Sequence, residues 1–345
     1  MRGSDLRVLF WPIGDQRTAS TRHRLLNLLP FLERSGIRPT LLQGGKTTAA
    51  TAWRALRLAA GVDCVYLQKK LLPSWYLPLL RRAARRMVFD FDDALYAPRS
   101  KPRPDQRRLA RRLRAQLDRM LNTVDLAVAG NESLGDYARR HLSRVEVIPT
   151  TYQGEGIEPK HHVPAVPTVI GWIGSEGTLV YLEEFVPILR RLAREFGPRV
   201  VFRVISNADF SASGLEGFIQ NVRWSLEEEA RLILSLDIGI MPLLDDEWSR
   251  GKCAFKAIQM MTCGLPVVAS PVGPNTEVIQ DGFNGFLVAT EEAWLRRLEE
   301  LVDSTSAREA IGAKARASVL SRYSVDRWAA HLRSALFDVC GPGGP

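Results

Sequence analysis

The feature that most constrains this fold is an alternation of short apolar runs with amphipathic segments, which occurs twice along the chain. In the first half, runs such as LRVLFWPI, DCVYLQ and MVFDFD alternate with helix-like stretches, including a basic one at 104–121. After a stretch at 155–168 that is rich in Pro, His and charge, alternation begins again with TVIGWIG and a helix-like segment at 180–196. Alternating strands and helices predict an α/β protein with two Rossmann-like domains, each a parallel sheet covered by helices.

The length of 345 residues also favours two domains, because one hydrophobic core rarely serves a chain of this size. We place a first domain at 1–160, a second at 161–323, and a C-terminal helix and tail at 324–345 that returns toward the first domain. Ligands of such sheets bind at the carboxyl ends of the strands. The two domains are therefore expected to face each other across a cleft.

Charge and cysteine usage restrict the compartment and the partners. Residues 1–163 hold 29 Lys and Arg against 15 Asp and Glu, whereas the remaining residues hold 18 against 23. The two halves are therefore expected to have different partners. Four scattered cysteines without a CxxC pair, and an N-terminus without signal-peptide features, predict a reducing cytoplasm. The apolar runs are far shorter than the ~20 residues of a membrane span.

A block near residue 270 carries the most specific motifs. It reads MTCGLPVVAS, followed by Glu277, Asp281-Gly282 and Asn284-Gly285. This order resembles the nucleotide-sugar-binding half of the GT-B glycosyltransferases, family 4 (group 1) in particular. The resemblance implies a GT-B fold and transfer of a sugar from a nucleoside-diphosphate donor, with retention of configuration and without a metal or other cofactor. It also assigns Asn275 and Glu277 to substrate binding.

Two departures from the family pattern direct attention to the lysines before this block. Family 4 carries two glutamates separated by seven residues, where this chain has Gly251 and Gln259. Gln259 can still hydrogen-bond a ribose through its amide. Lys252 and Lys256 are four residues apart, which places them on one face at the start of a predicted helix, where anions bind. We expect them to hold the diphosphate in place of the family's usual Arg and Lys; the alternative is a pair of solvated lysines.

Further donor-binding candidates lie elsewhere in the second domain. Gly174, Ser175 and Thr178 follow its first strand and are predicted to add backbone N–H groups and hydroxyls to the phosphate site. Trp224 stands where the family's base-covering segment begins, and it either stacks on the nucleobase or packs in the core.

Three carboxylates close a strand of the first domain. The run MVFDFDD contains Asp90, Asp92 and Asp93, and Asp92 falls where family 4 has a His beside the donor sugar. Asp92 and Asp93 are predicted to be catalytic, by binding sugar hydroxyls, orienting the acceptor or acting as a base. The alternatives are a helix-capping Asp and a metal-binding Asp-x-Asp as in the GT-A class. The cation-bearing phosphate site of the second domain argues against the metal.

The loop WPIGDQRTASTRHR supplies Gly14, Ser20 and Arg22 as candidate substrate-binding residues. It resembles the Gly-rich acceptor-side loop of the family, without its Gly-Gly pair. Arg22 is predicted to contact the leaving phosphate or an acidic acceptor, with a plain surface arginine as the alternative.

The helix at 104–121 is predicted to contact an anionic membrane. It places Leu109, Leu113 and Leu117 on one stripe, surrounded by Arg107, Arg108, Arg111, Arg112 and Arg114. Such cations contribute ~1 kcal/mol each near an anionic surface. No apolar wedge is evident in the sequence, and the alternative is a core-packed helix with a solvated basic face.

These features together predict a cytoplasmic glycosyltransferase, peripheral on the inner face of the membrane. Its partners would be a nucleotide-sugar donor and an acceptor hydroxyl on a polyprenyl-phosphate-linked or other anionic cell-envelope molecule. Nucleic acid is not expected as a partner, because no recognition motif is visible. The alternatives are a nucleotide-sugar epimerase of the same fold, a nucleic-acid-binding protein and a non-catalytic protein.

Overall fold

The computed structural model describes residues 5–164 and 166–340, which form two compact units. Unit 1 contains the described chain up to Gln153, the short segment Arg250–Cys253 and the chain from Tyr323 onward. Unit 2 contains Gly154–Ser249 and Ala254–Arg322. The sequence placed 250–253 in the second domain, and the structure assigns it to unit 1 instead.

The division between the units lies a few residues before the boundary predicted at 160. Lys160 already belongs to unit 2, where its backbone N–H donates to Cys263 O at 2.8 Å. The ammonium of Lys160 also lies 3.0 Å from Asp237 Oδ1. The Pro- and His-rich stretch is therefore bound to unit 2 by specific contacts.

Unit 1 is built on a six-stranded parallel sheet with helices in the connections. Its strands are β1 (Leu6–Pro12), β2 (Ile37–Leu41), β3 (Cys64–Gln68), β4 (Met87–Phe91), β5 (Leu126–Ala129) and β6 (Val145–Val147). Its helices are α1 (Ala19–Thr21), α2 (Leu29–Arg34), α3 (Ala49–Ala59), α4 (Leu77–Ala83), α5 (Pro104–Leu121) and α6 (Glu132–Arg139), with a π-helical turn at Arg22–Leu26. The order β2-β1-β3-β4-β5-β6 places the carboxyl ends of β1, β3, β4 and β5 side by side.

Unit 2 repeats this plan. Its strands are β7 (Thr168–Ile173), β8 (Val200–Ser206), β9 (Ile219–Arg223), β10 (Ile238–Met241), β11 (Val267–Ala269) and β12 (Phe286–Leu287). Its helices are α7 (Val180–Phe196), α8 (Glu229–Leu234), α9 (Glu247–Arg250), α10 (Phe255–Thr262), α11 (Asn275–Val278), α12 (Glu291–Asp303) and α13 (Thr305–Arg322), with 3₁₀ turns at Glu176–Thr178 and Gly197–Arg199. The parallel strand order is β12-β11-β10-β7-β8-β9, so the predicted fold of two Rossmann-like sheets is confirmed.

The last helix, α14 (Val325–Cys340), packs in the core of unit 1. Leu6, Val8 and Phe10 alternate along β1 and point to one face of the sheet, as the period of two in a strand requires. Leu332 and Leu336, one helical turn apart on α14, are buried against that same cluster. The predicted return of the C-terminal helix to the first domain is confirmed.

Helix α5 matches the predicted range 104–121, but its buried face differs from the predicted leucine stripe. Leu117 is buried, whereas Leu109 is 53% exposed. Ala110 and Met120 supply the rest of the inward face instead. Within the described residues, no helix combines the length and apolar character that crossing a membrane requires.

Candidate functional site

The first candidate site lies at the carboxyl edge of the unit 1 sheet. Asp92 and Asp93 directly follow β4, and Lys69 directly follows the neighbouring strand β3. The Lys69 ammonium contacts the Asp93 carboxylate and lies 2.9 Å from Asp92 Oδ1, the latter an ion pair without hydrogen-bond geometry. The Ser20 hydroxyl donates to Asp92 Oδ2 at 2.6 Å. Lys69 therefore contacts both of the predicted catalytic carboxylates. Ser20, a predicted residue of the loop after β1, contacts Asp92.

The surroundings of Asp92 fix its charge. Burial raises the pKa of Asp92, but the positive charges of Lys69 and Arg24 and the hydrogen bond from Ser20 outweigh burial and hold the pKa below its ordinary value. Asp92 is therefore ionised at neutral pH and is a weak base. Such a carboxylate is better suited to orient a hydroxyl or to face a positive charge than to remove a proton.

Lys69 is held in an unusual backbone conformation. Its φ of 54° lies in the left-handed region, and its N–H donates to Asp90 O at 2.6 Å. Burial lowers the pKa of Lys69, while the carboxylates of Asp92 and Asp93 outweigh burial and raise it above its ordinary value. Lys69 was not predicted, although a Lys-Lys pair directly after the strand DCVYLQ is a signal of the same kind as carboxylates after β4.

Asp90 has a partner of its own. It is fully buried in β4, and Arg24, from the π-helical turn, donates Nη2 to Asp90 Oδ1 at 2.5 Å and Nε to the same oxygen at 2.9 Å. Arg24 Nη1 donates to Ile148 O at 2.8 Å, which completes the pairing that a buried guanidinium needs. Asp90 and Asp92 of the Asp-x-Asp sequence therefore each have a cationic partner from the chain. The described residues contain no group of three or more His, Cys, Asp or Glu side chains able to hold a metal.

The structure corrects the prediction that Lys252 and Lys256 share one helix face. Helix α10 begins only after Ala254, whose φ of 47° lies in the left-handed region and is not helical. Lys252 lies before this residue and belongs to unit 1. There Asn131 Nδ2 donates to the backbone carbonyl of Lys252. Burial lowers the pKa of Lys252, and the nearby charge of Asp93 only partly opposes that shift. Helical spacing fails here because a left-handed residue separates the two lysines.

Gly251 occupies the position where the family pattern has a glutamate, and the structure gives the physical reason. A Cβ on Gly251 would lie 2.4 Å from Ala94 Cβ and 3.0 Å from Ala94 N, closer than packed atoms approach. The same segment contacts the Asp92 loop, since Cys253 Sγ donates to Asp92 O at 3.3 Å. A side chain at position 251 has no room without a backbone shift.

The loop after β1 is bonded mainly to itself. A Cβ on Gly14 would lie 2.1 Å from Thr18 Oγ1, so only glycine fits there. Arg22, half-buried, donates Nη1 to Gln16 O at 3.0 Å and Nε to His23 Nε2 at 3.0 Å. Of the three candidates in this loop, Ser20 is the one that the structure brings to the carboxylates.

The second candidate site lies on α10 in unit 2. Lys256, half-buried in the first turn, donates Nζ to Gln259 Oε1 at 3.0 Å and lies 5.2 Å from the centroid of the Phe255 ring. Gln259 is fully buried, and its Nε2 has no hydrogen-bond partner in the described parts of the chain. The structure thus joins two of the predicted donor-binding residues and leaves one buried N–H₂ group unpaired.

Helix α11, which is in contact with α10, carries the next two candidates. Asn275 is fully buried and donates Nδ2 to Ser270 O at 3.0 Å. Its Oδ1 is buried and accepts no hydrogen bond from residues 5–164 or 166–340. Glu277 is exposed, and its backbone carbonyl accepts from Arg322 Nη2 at 2.8 Å. Asn275 therefore resembles Gln259, because in each side-chain amide one polar atom forms a hydrogen bond and the other has no partner among the described residues.

The turn after β7 is already bonded within unit 2. The Gly174 N–H donates to Ile205 O at 3.1 Å, and the Ser175 N–H donates to Thr178 Oγ1 at 3.1 Å. The Thr178 hydroxyl donates in turn to Ser175 O at 2.8 Å. A phosphate bound by these predicted groups would have to replace those bonds.

Trp224, the predicted base-stacking residue, directly follows β9. It is half-buried, and its backbone N–H donates to Ser206 O at 3.1 Å. Its indole N–H donates to Glu229 Oε2 at 2.9 Å. The position of the ring is therefore fixed by unit 2 itself.

Comparison with known proteins gives these sites a context. Residues 167–304 match the family model described as Glycosyl transferases group 1. The spore coat protein SA of Bacillus subtilis (strain 168) is 33% identical over 79 residues, or 22% of this chain and 21% of that protein. The D-inositol 3-phosphate glycosyltransferase of Paenarthrobacter aurescens (strain TC1) is 33% identical over 87 residues, or 25% of this chain and 20% of that protein. The chain therefore spans about a fifth of the curated relatives that it matches.

Solved structures resemble the whole chain. Anabaena HepE in complex with UDP and glucose has a TM-score of 0.64 at 16% identity, covering 96% of this chain and 99% of that one. Sucrose-phosphate synthase of Thermosynechococcus elongatus has a TM-score of 0.71 at 14% identity, covering 95% and 98%. The predicted GT-B fold is confirmed, and the group 1 match confirms the predicted resemblance to glycosyltransferases. The narrower assignment to family 4 stays a prediction.

Proposed function

We propose that this protein is a glycosyltransferase that moves a sugar from a nucleoside diphosphate to an acceptor hydroxyl. One observation carries the proposal. Within the segment that matches group 1 glycosyl transferases, Gln259 and Asn275 are fully buried, and each keeps a polar atom without a partner among the described residues. Buried polar atoms of folded proteins are nearly always paired, so an unpaired donor and an unpaired acceptor in one segment call for a ligand.

A nucleotide sugar has the groups that would complete this segment. Ribose and sugar hydroxyls both donate and accept hydrogen bonds, so one such ligand can accept from Gln259 Nε2 and donate to Asn275 Oδ1. Lys256 donates Nζ to Gln259 Oε1 and so lies beside the unpaired Gln259 N–H₂ group. A charged ammonium in the first turn of α10, where free N–H groups also favour anions, suits a diphosphate. HepE, which has the same fold, binds UDP and glucose, in agreement with this proposal.

Unit 1 would supply the acceptor side of the reaction. Asp92 is ionised and weakly basic, so we assign it to orienting the acceptor hydroxyl and to stabilising the positive charge that develops on the sugar, rather than to removing a proton. Lys69 would hold the carboxylates of Asp92 and Asp93 in place. In this scheme the bond from the sugar to the diphosphate breaks as the bond to the acceptor oxygen forms on the same side, with retention of configuration. The proton of the acceptor hydroxyl passes to an oxygen of the departing diphosphate.

No metal or other cofactor has a part in the proposed reaction. Arg24 and Lys69 already lie against the carboxylates of Asp90 and Asp92, which supports assigning this pair to organic substrates. We propose a lipid-linked or other anionic cell-envelope acceptor and a peripheral position on a membrane. The excess of Lys and Arg in residues 1–163, 29 against 15 Asp and Glu, supports an anionic partner for unit 1.

A release assay tests the proposal. The purified chain is incubated with UDP-, GDP- or dTDP-sugars, with and without a polyprenyl-phosphate-linked acceptor, in buffer containing EDTA, and free nucleoside diphosphate is measured. We expect release with one donor, only when acceptor is present and regardless of EDTA. Conversion of the sugar without acceptor would identify an epimerase instead, and activity that EDTA abolishes would contradict the metal-independent scheme.

A further inference from the structure

Two tryptophans on the surface of unit 1 have no part in the sites described above. Trp53, on α3, is 60% exposed, and Trp75, shortly before α4, is 68% exposed. Leu79, on α4, is another large apolar side chain with 46% of its surface exposed. Exposed aromatic side chains that cluster on a protein surface mark places where another molecule binds.

The two tryptophans lie on neighbouring elements, because α3 and α4 pack against each other and a hydrogen bond joins the residues beside them. The hydroxyl of Tyr76, which is buried, donates to Ala52 O at 2.7 Å and so ties the start of α4 to α3. Ala52 directly precedes Trp53, and Tyr76 directly follows Trp75. The rings of Trp75 and Tyr76 meet edge to face at 5.6 Å.

The chain around this surface is strongly basic. Residues 36–89 contain ten Lys and Arg and a single acidic residue, Asp63, which is paired with Arg7 and Arg85. Arg57 is exposed one turn after Trp53, and its guanidinium lies 4.7 Å from the centroid of the Trp53 ring. Half of these cations form ion pairs: Arg38, Lys69, Arg81, Arg85 and Arg86. Arg57 forms no ion pair within the described residues, so the surface combines exposed aromatic rings with the positive charge of Arg57.

We propose that the surface formed by Trp53, Trp75, Leu79 and Arg57, the α3–α4 surface, docks on the headgroup region of an anionic lipid bilayer. Tryptophan favours that depth because its ring is apolar and its N–H is polar. Each cation near an anionic membrane strengthens binding about fivefold. The inference rests on the proposed function and extends it by naming the surface through which the enzyme reaches a lipid-linked acceptor.

The proposal differs from the sequence analysis, in which no apolar wedge was evident and the membrane contact was assigned to α5. Helix α5, predicted to carry the membrane contact, exposes arginines together with one large apolar side chain, Leu109. Helix α5 therefore provides electrostatic attraction to an anionic membrane but only one large apolar side chain to insert into it. The sequence did not distinguish the two regions, because exposure of a tryptophan depends on how α3 and α4 pack.

Co-sedimentation with vesicles tests the proposal. The full chain is mixed at physiological salt with phosphatidylcholine vesicles that contain or lack phosphatidylglycerol. The variants are Trp53→Ser/Trp75→Ser and Arg57→Gln, with a control in which Arg107, Arg108, Arg111 and Arg112 are all replaced by Gln. We expect about a tenfold or greater loss of binding for the tryptophan variant and about a fivefold loss for Arg57→Gln. The control should lose less binding than the tryptophan variant, because α5 has no exposed aromatic side chain to place in the headgroup region.

Quenching of tryptophan fluorescence by brominated phosphatidylcholine gives a second readout, which the double variant should largely lose. Equal binding of the wild type and the double variant, or a larger loss in the α5 control, overturns the proposal. So does a change of oligomeric state in the double variant without a change in lipid binding, since the surface would then be a protein interface. A wild type that releases nucleoside diphosphate but binds no vesicles sinks this inference alone, whereas vesicle binding without nucleotide binding sinks the proposed function.

Discussion

The two candidate sites differ in how far the chain itself pairs their polar groups. In unit 1, the carboxylates of Asp92 and Asp93 lie against Lys69, and Asp92 also accepts a hydrogen bond from Ser20. In unit 2, Gln259 and Asn275 are more deeply buried than these carboxylates, and each keeps one polar atom unpaired among the described residues. An unpaired buried polar group costs about 1–3 kcal/mol. Asp92 Oδ1 also accepts no hydrogen bond among the described residues, but the Lys69 ammonium lies 2.9 Å from it. The charge of the unit 1 carboxylates is therefore balanced within the chain, whereas the neutral amides of unit 2 keep hydrogen-bonding groups for a ligand.

The largest expected effect comes from removing the shared cation of unit 1. Lys69→Met leaves two partly buried carboxylates without their counter-ion, which should lower the free energy of unfolding by about 3 kcal/mol. Lys256→Met in unit 2 removes the hydrogen bond to Gln259 Oε1, which should lower the free energy of unfolding by about 1 kcal/mol. Chemical denaturation of both variants measures this, with the exposed Lys46→Met as control. Similar losses at positions 69 and 256 would remove the distinction between the sites.

The next effect separates turnover from donor binding. Asp92→Asn keeps the shape of the side chain but removes its charge, so we expect the rate of sugar transfer to fall about a hundredfold. Donor affinity should change less than about twofold, since the donor is assigned to unit 2. Steady-state kinetics and donor titration measure the two quantities, and the exposed Asp105→Asn serves as control. A parallel collapse of donor affinity would show that the unit 1 carboxylate contacts the donor instead.

A smaller effect is expected from replacing the unpaired amide of unit 2. Gln259→Met removes a buried donor that has no partner without ligand, so the ligand-free protein should unfold within about 1 kcal/mol of the wild type. The stabilisation of Gln259→Met by a nucleoside diphosphate should nevertheless be lost. A nucleoside diphosphate at 100 times its Kd raises the wild-type unfolding free energy by ~2.7 kcal/mol. Thermal unfolding with UDP, GDP or dTDP tests this against the exposed Gln280→Met, and an unaltered ligand shift in Gln259→Met speaks against the ribose contact.

The smallest effect concerns acid stability. Burial lowers the pKa of His162 in unit 2, so the folded chain holds it neutral where an unfolded chain is protonated. Its contribution is complete above the ordinary His pKa of about 6.5 and decreases as pH falls below that value. The pKa of Asp92 is also lowered, but its contribution decreases only below about pH 4, because the ordinary Asp pKa is about 3.9.

The change in unfolding free energy between pH 7 and pH 5 therefore reports on His162 of unit 2 and not on Asp92 of unit 1. Between pH 7 and pH 5, His162→Asn should lose less unfolding free energy than the wild type, with a difference of about 1 kcal/mol or less. The neighbouring exposed His161→Asn should leave it unchanged. An identical pH profile for all three proteins would refute the assignment.

The regular elements were predictable from sequence because their signals are local. The ranges 104–121 and 180–196 follow from amphipathic periodicity and appear as α5 and α7. The carboxylates after β4 were predictable for the same reason, since they follow an apolar run directly. Lys69 follows an apolar run as well, and the same rule applied to every strand would have included it.

The contacts that connect distant parts of the chain were not predictable from pattern. Lys252 looked like the start of a helix, and only the left-handed Ala254 and a bond from Asn131 place it in unit 1. Gly251 looked like a lost glutamate, whereas its closeness to Ala94 explains the glycine. Periodicity describes which residues share a face of one element, and it contains no information on which distant loop that element meets.

The central claim is that a nucleoside diphosphate binds unit 2, whereas Lys69 already balances the carboxylates of unit 1 within the chain. Calorimetric titration of UDP, GDP and dTDP into the wild type, Lys256→Met and Asp92→Asn tests it most directly. The account predicts that one nucleotide binds the wild type, that Lys256→Met weakens it about tenfold or more, and that Asp92→Asn changes its affinity less than about twofold. Equal affinity for the wild type and Lys256→Met, or a larger loss in Asp92→Asn than in Lys256→Met, would contradict it.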